Sequence, residues 1–202
     1  ADVAFSLPPA LQKTGDELTI VIPMYRVTQE NYGDQFSLIK TCVIHLGQRQ
    51  LSCALYKGEL NGVTIYAIGN EHLFHRPRLY GYGDDSLRFA FFCRAVIDLL
   101  PEFGDLPDIL HCNDWETALA ILYLKNDAVL NDALSHIKTV YTIHNIAYQG
   151  QFGRSEMETT FALPDGWYHG GLSYEFEGRQ DINLMKGAML MADAVTTVSP
   201  TY

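Results

Sequence analysis

The sequence predicts an α/β fold, a Rossmann-like parallel sheet with helices on both faces and a peripheral β-hairpin region. Three observations carry that expectation. From residue 108 onward, short β-branched runs alternate with helical stretches, the pattern that βαβ crossovers produce. Two of those runs stop at polar residues, one before Asp114 and one at His144 and Asn145, where an open α/β sheet keeps its ligand crevice. Asn61-Gly62 separates two strand-like runs and is the strongest short hairpin signal.

Taken in order, ADVAFSLPPALQ at the amino end reads as the inside of a helix rather than a natural start. Leu18 to Met24 is a β-branched run that reads as a central strand, its end marked by Pro23. Ser37 to Leu46 and Leu51 to Tyr56 read as further strands, and Glu59 to Ile68 as the hairpin. From Asp85 to Leu100 the period becomes helical: Leu87, Phe91, Ala95 and Leu99, with Phe92, Val96 and Leu100 beside them, form one apolar stripe. Arg88, Arg94 and Asp98 fall off it, and Asp84, Asp85 and Ser86 offer caps. A Pro/Gly connector spans Pro101 to Pro107, followed by a strand at 108–112, a helix at 115–125, a strand at 138–143, a helix at 180–192 and a strand at 194–198. Gln149 to Arg179 is rich in glycine and aromatics without a period, and reads as a long functional loop with one short helical turn.

With 202 residues and 48% hydrophobic content the chain can bury a substantial core, and one domain is the default. Its 24 acidic and 14 basic residues give a net charge of -10, which argues against a phosphate-backbone surface and hence against nucleic acid as a partner. Cys42, Cys53, Cys93 and Cys112 are scattered without a Cys-x-x-Cys pair and are expected to be reduced, buried thiols of a cytosol-like compartment. No apolar stretch is long and charge-free enough for a bilayer, and no signal peptide opens the chain. Neither a glycine-rich dinucleotide loop, a Walker lysine loop nor a G-x-S-x-G elbow is present.

Each polar residue near the strand ends has a plain and a functional reading. His144 is either a core histidine or a site residue. Asp114 caps the helix opening at Trp115, serves a ligand, or does both. Tyr82 in its Gly-Tyr-Gly turn packs on the next helix or offers an aromatic platform. The amides of Asn145 and Gln149 and the phenol of Tyr148 match sugar hydroxyls in hydrogen-bond inventory. His111, Cys112, Asp114 and His144 suggest a metal, yet strand alternation turns His111 and Cys112 to opposite faces, so no metal is expected. Glu175 with Glu177, or Asp114 with Glu116, gives no acid and nucleophile opposed across a cleft, which ranks glycoside hydrolysis low.

Four segments, YAIGNEHLFHRPRLYGYGDDSLRFAFF (66–92), HCNDWETALAILYLK (111–125), YTIHNIAYQG (141–150) and INLMKGAMLMADAVTTVSPTY (182–202), resemble in order the amino-terminal half of bacterial glycogen synthases and plant soluble starch synthases. These are retaining glucosyltransferases of the GT-B fold. The resemblance implies that residues 1–202 are a single amino-terminal GT-B domain, truncated at its own amino end and lacking the carboxyl-terminal GT-B domain, its partner. It implies glucose transfer from ADP-glucose, or less readily UDP-glucose, to the non-reducing end of an α-1,4-glucan, with no metal and no bound cofactor. A neutral glucan fits an acidic chain. It places His144 at the donor glucose, Asp114 near the reaction centre and Tyr82 at the donor. Asp2 matches an acidic position that follows a Lys-Thr-Gly-Gly loop near acceptor and phosphates. That loop is missing, and Lys13-Thr14-Gly15 is a decoy because it follows the helix. Glu116 stands where the family commonly has His, which alters the fine geometry of the site. The isolated polypeptide is expected to fold but to show negligible transfer. A non-catalytic glucan-binding or interaction module of the same fold, or another GT-B transferase such as a sucrose-linked one, is the alternative. The compartment would be cytoplasm in a bacterium and plastid stroma in a plant or alga, without membrane association.

Overall fold

The computed structural model describes residues 2–198, leaving aside the side chains of 2–6 and 176. The side chain of Asp2, and with it the expected acidic group near acceptor and phosphates, therefore lies outside the described residues. Two compact units emerge, one formed by residues 1–43 and 52–80, the other by 44–51 and 81–202.

In the first unit, helix α1 (Asp2–Gln12) runs through Pro8 and Pro9. Lys13–Gly15 is the turn that ends it, Thr14 donating from its backbone N–H to the Leu11 carbonyl at 3.0 Å. Strand β1 (Thr19–Pro23) follows, then helix α2 (Arg26–Tyr32), strands β2 (Phe36–Leu46) and β3 (Arg49–Leu60), whose adjoining ends at 44–51 count with the second unit, strand β4 (Val63–Gly69), and a helical turn α3 (Glu71–Phe74). The sheet order is β1-β4-β3-β2, with β1 parallel to β4 from Thr19↔Thr64 to Pro23↔Ile68. The expectation of a central β1 is thus corrected, because β1 ends the row. A β-branched run marks a strand without fixing its place in the order. The β3/β4 hairpin forms as the sequence predicts. Asn61 at φ 53° and Gly62 at φ 78° both take positive φ, a type I′ turn whose twist matches the strands. Asn70 then caps α3, its Oδ1 accepting from the Leu73 N–H at 3.0 Å, while its Nδ2 donates to the Ser52 carbonyl at 2.8 Å.

The second unit opens with α4 (Asp85–Asp98). Its apolar stripe is buried apart from the half-buried Leu87, but so is Arg88, which is 0% exposed despite lying off the stripe. The guanidinium is tolerated there because it pairs with Asp85 and lies 4.9 Å from the centre of the Tyr82 ring. Of the proposed caps, Asp84 makes no capping bond. Asp85 instead accepts through Oδ2 from the backbone N–H groups of Gly81 and Tyr82 and so fixes the turn before the helix.

Strand β5 (Ile109–Asn113), helix α5 (Trp115–Ala128) and strand β6 (Lys138–Ile143) form a parallel crossover, with Ile109↔Lys138 through Asn113↔Thr142 in register. The chain then departs from the sequence reading. Residues 149–179 are not a loop but carry β7 (Gln151–Gly153), α6 (Glu156–Thr159), a π-helical turn at Tyr168–Leu172 and β8 (Ser173–Phe176). With β9 (Arg179–Asn183) these strands build an antiparallel sheet in the order β7-β9-β8. Strands of three to five residues are too short to show a period of two. Their hairpin turn is Glu177-Gly178, at φ 52° and 76°, a type I′ turn without the usual asparagine or aspartate. Helix α7 (Leu184–Met191) consequently begins after the expected start at 180. Asn183 stops the strand and starts the helix, its Oδ1 accepting from the Lys186 N–H at 2.9 Å.

Strand β10 (Ala194–Thr197) completes the parallel sheet in the order β10-β6-β5. Both crossovers step the same way through that order, so right-handed connections put α5 and α7 on one face, where they pack together. Gly187 lets α7 lie close against the turn at Tyr168–Leu172, since a Cβ there would meet Leu172 Cδ2 at 2.6 Å. Asp193 ties the layers together, accepting from Lys125 Nζ at 2.7 Å and from the Thr139 N–H and hydroxyl, each at 2.8 Å. Those donors hold its carboxyl well below the usual carboxylate range.

Candidate active site

The site forms where β5 and β6 end side by side. Asp114, the residue after β5, has φ 56° and ψ -179°, at the edge of a region that only glycine occupies readily. Such a backbone costs about 1–3 kcal/mol and persists only where the surroundings impose it. Here the surroundings are identifiable. The Asp114 N–H donates to the Thr142 carbonyl at 3.0 Å, which extends the β5/β6 ladder by one bond. Its carbonyl accepts from the Thr117 N–H at 3.2 Å and so begins α5. Its side chain does not cap α5, contrary to the capping expectation. The carboxylate reaches across to β6, where Oδ1 accepts from the backbone N–H of His144 at 2.8 Å and of Asn145 at 3.3 Å. The twisted backbone aims that carboxylate across the strand ends, which a relaxed N-cap would not.

The His144 side chain is half-buried at the mouth of the sheet rather than sunk in the core. Its Nε2 lies 2.9 Å from Asn113 Oδ1. An amide oxygen only accepts, so Nε2 is the donor in this contact. Asn113 was not singled out from the sequence, although it directly precedes Asp114 in the same strand-end motif. Next to it His111 Nε2 lies 2.6 Å from Thr142 Oγ1, which is 2.7 Å from Thr196 Oγ1. Partial desolvation of the ring, with His144 nearby, lowers the proton affinity of His111. His111 is exposed and Cys112 buried, so the two do face opposite sides of β5. Among the described residues no group of three or more His, Cys, Asp or Glu side chains can hold a metal ion.

The segment after His144 is built as a stapled turn. Asn145 Oδ1 accepts from the Ala147 N–H at 3.0 Å, and the Asn145 carbonyl from the Tyr148 N–H at 3.2 Å. The Tyr148 ring is 67% exposed. Gln149 Nε2 donates to the Ile146 carbonyl at 2.9 Å, and its Oε1 accepts from Asn183 Nδ2 at 2.6 Å. The carbonyls of Gln149 and Gly150 accept from Met185 and Leu184 at the start of α7, each at 3.1 Å. Gly150 has φ 62°, and a Cβ there would meet Trp115 Cε3 at 2.7 Å. The Trp115 indole is locked in turn by Phe89 and Phe152, with ring centres 5.2 and 5.5 Å away. Asn183, likewise missed in the sequence, joins this turn to α7, and no local pattern distinguishes it from an ordinary cap.

The structure therefore brings Asp114, His144, Asn145 and Gln149 together with Asn113, and sets Tyr148 on the same turn. Tyr82 belongs to a second group with Asp85 and Arg88. Glu116 links the groups electrostatically: burial, with repulsion from Asp114 and Asp85, pushes its carboxyl up to about 7. The crevice residues are neutral or acidic. They suit neutral hydroxyl-bearing ligands and leave any anionic part of a ligand to other groups.

A family model described as the starch synthase catalytic domain matches residues 1–202. The glycogen synthase of Bacillus cereus strain Q1 is 40% identical over 202 residues, which are 100% of this chain and 42% of that protein. The glycogen synthase of Clostridium novyi strain NT is 38% identical with the same coverage. The solved catalytic domain of starch synthase IV from Arabidopsis thaliana, bound to ADP and acarbose, matches with a TM-score of 0.85 at 30% identity, over 100% of this chain and 41% of that one. The chain thus spans about 42% of the length of these glycogen synthases.

Proposed function

The chain belongs to the starch synthase catalytic domain family, and from that premise we propose that it is the amino-terminal GT-B half of a glycogen or starch synthase. The intact enzyme transfers glucose from ADP-glucose to the non-reducing end of an α-1,4-glucan with retention. A carboxyl-terminal GT-B domain completes the cleft and binds most of the nucleotide. The glycogen synthases that match are bacterial, which favours a cytoplasmic setting over a plastid stroma.

One observation carries the assignment of the site: Asp114 holds a strained backbone while its carboxylate clamps the strand end that presents His144. Strain of this kind clusters at active sites and ligand clamps. In glucosyl transfer, positive charge grows on the sugar ring and negative charge on the departing diphosphate. His144, with its ring fixed by Asn113, presents Nδ1 as an acceptor for a hydroxyl of the donor glucose, and its backbone carbonyl faces the same crevice mouth in the proposed pose. Asp114 fixes that placement through the backbone and contacts the sugar. Asn145 and the exposed Tyr148 add hydroxyl partners and an aromatic face. Gln149, whose amide already bridges Ile146 and Asn183, acts as a positioning residue. Tyr82 lies at the donor. Cations for the diphosphate come from the rest of the protein.

The test uses the full-length gene product with labelled ADP-glucose and maltooligosaccharide. The wild type elongates the acceptor and prefers ADP-glucose over UDP-glucose. His144→Ala lowers kcat by about a hundredfold or more, in line with the loss of one positioned polar group, with unchanged circular dichroism. Maltooligosaccharide binding without elongation would replace this reading with a non-catalytic glucan-binding module. The isolated 202-residue chain is expected to show negligible transfer.

A further inference from the structure

Strands β2 and β3 are neighbours in the sheet, joined by the two residues Gly47 and Gln48. Gly47 has φ 60° and Gln48 is not among the residues of positive φ, the signature of a type II′ hairpin. A two-residue turn of this kind sets Leu46 opposite Arg49, as the turn at Asn61-Gly62 sets Leu60 opposite Val63. Counted back from the turn, Cys42 falls opposite Cys53 on the same face of the hairpin. In this register the pair exchanges both ladder hydrogen bonds, which places its Cα atoms about 5.5 Å apart. That spacing lies within the range of roughly 4.4–6.8 Å that a disulfide requires.

Both residues line one cavity of about 250 Å³, together with Met24, Gln29, Ser52 and His75. Cys42 is half-buried, Cys53 is 3% exposed, and all four cysteines of the chain are thiols. We propose that Cys42 and Cys53 form a thiol–disulfide exchange site, reached through this cavity, that reacts with small-molecule disulfides of the glutathione class. The thiolate of Cys42 attacks one sulfur of the small disulfide, forming a mixed disulfide and releasing the other half as a thiolate. Cys53, losing its proton to that thiolate, then attacks the Cys42 sulfur and expels the second half. Two protein thiols are oxidised to one disulfide, and one small disulfide is reduced to two thiols. Cys93 and Cys112, the other two cysteines, are both buried. Burial pushes both thiols up, Cys112 to about 12, so neither supplies a useful thiolate.

The intact protein carrying this chain is incubated, folded, with excess glutathione disulfide, alkylated and digested. Cleavage after Arg49 separates the two cysteines. The expected result is a linked Cys42–Cys53 peptide pair that dithiothreitol abolishes, with Cys93 and Cys112 recovered alkylated after denaturation. Cys53→Ser should trap a stable glutathione adduct on Cys42, and Cys53→Ala provides the same readout if the serine variant fails to fold. Recovery of Cys42 and Cys53 only as separate thiols or separate adducts in the wild type overturns the proposal. So does a linked pair that appears only in denatured protein.

Discussion

Asn61 and Asp114 are both non-glycine residues of positive φ at a strand end, yet they take that conformation for opposite reasons. Asn61 sits in a two-residue hairpin beside Gly62, and the turn type itself demands positive φ of a residue that tolerates it well. Nothing outside the hairpin is needed. Asp114 has no such local cause. Its backbone is imposed by a ladder bond to Thr142 and by a carboxylate committed to the N–H groups of His144 and Asn145, some thirty positions along the chain. The first is a device written locally, and the second is a long-range device that exists only once β5 and β6 lie side by side.

The largest expected effect tests that contrast. Asp114→Ala leaves a side chain in the unfavourable region, removes the bond partner of two N–H groups and should cost about 3 kcal/mol in urea unfolding. Asp114→Gly relaxes the backbone and loses only the carboxylate, for about 1–2 kcal/mol. If Asp114→Ala costs no more than Asn61→Ala, the distinction fails.

Next comes Glu116→Gln. In the folded chain Glu116 titrates at about 7, whereas an unfolded glutamate titrates near ~4.3. Between those values the folded state holds the extra proton, so this group lowers stability as pH rises through the window. The variant should match the wild type at pH values below that window. Above it, Glu116→Gln should be more stable by about 2 kcal/mol, the roughly 3.7 kcal/mol of the full shift being reduced by the water that still reaches this half-buried side chain. A constant difference across the pH range would show that Glu116 does not titrate there. The smallest effect is expected at the hairpin, where Asn61→Ala costs about 1 kcal/mol and Asn61→Gly is near neutral in thermal unfolding.

Legibility from the sequence followed the same division. Strand β6 and the I′ turn at Asn61-Gly62 were readable because each depends on a few adjacent residues. The antiparallel sheet β7-β9-β8 was not, since its short strands are stabilised by pairing across residues 151–183 and by the aromatic wall of Trp115, Phe152 and Phe161. Arg88 was misplaced because helical period alone cannot anticipate a buried partner such as Asp85. His144 and Asp114 were legible as polar residues at strand ends. Asn113 and Asn183 were not, as their importance lies in which side chain they meet.

By itself, the sequence determined the alternation of strands and helices, the apolar stripe of α4, the hairpin turn and the family, because these rest on periodicity, turn chemistry and ordered motifs. Only the tertiary structure decided where the Asp114 carboxylate points, which side chain the His144 ring meets and which residues neighbour Glu116. Those properties arise from hydrogen bonds and burial between segments distant in the chain, which no local pattern encodes.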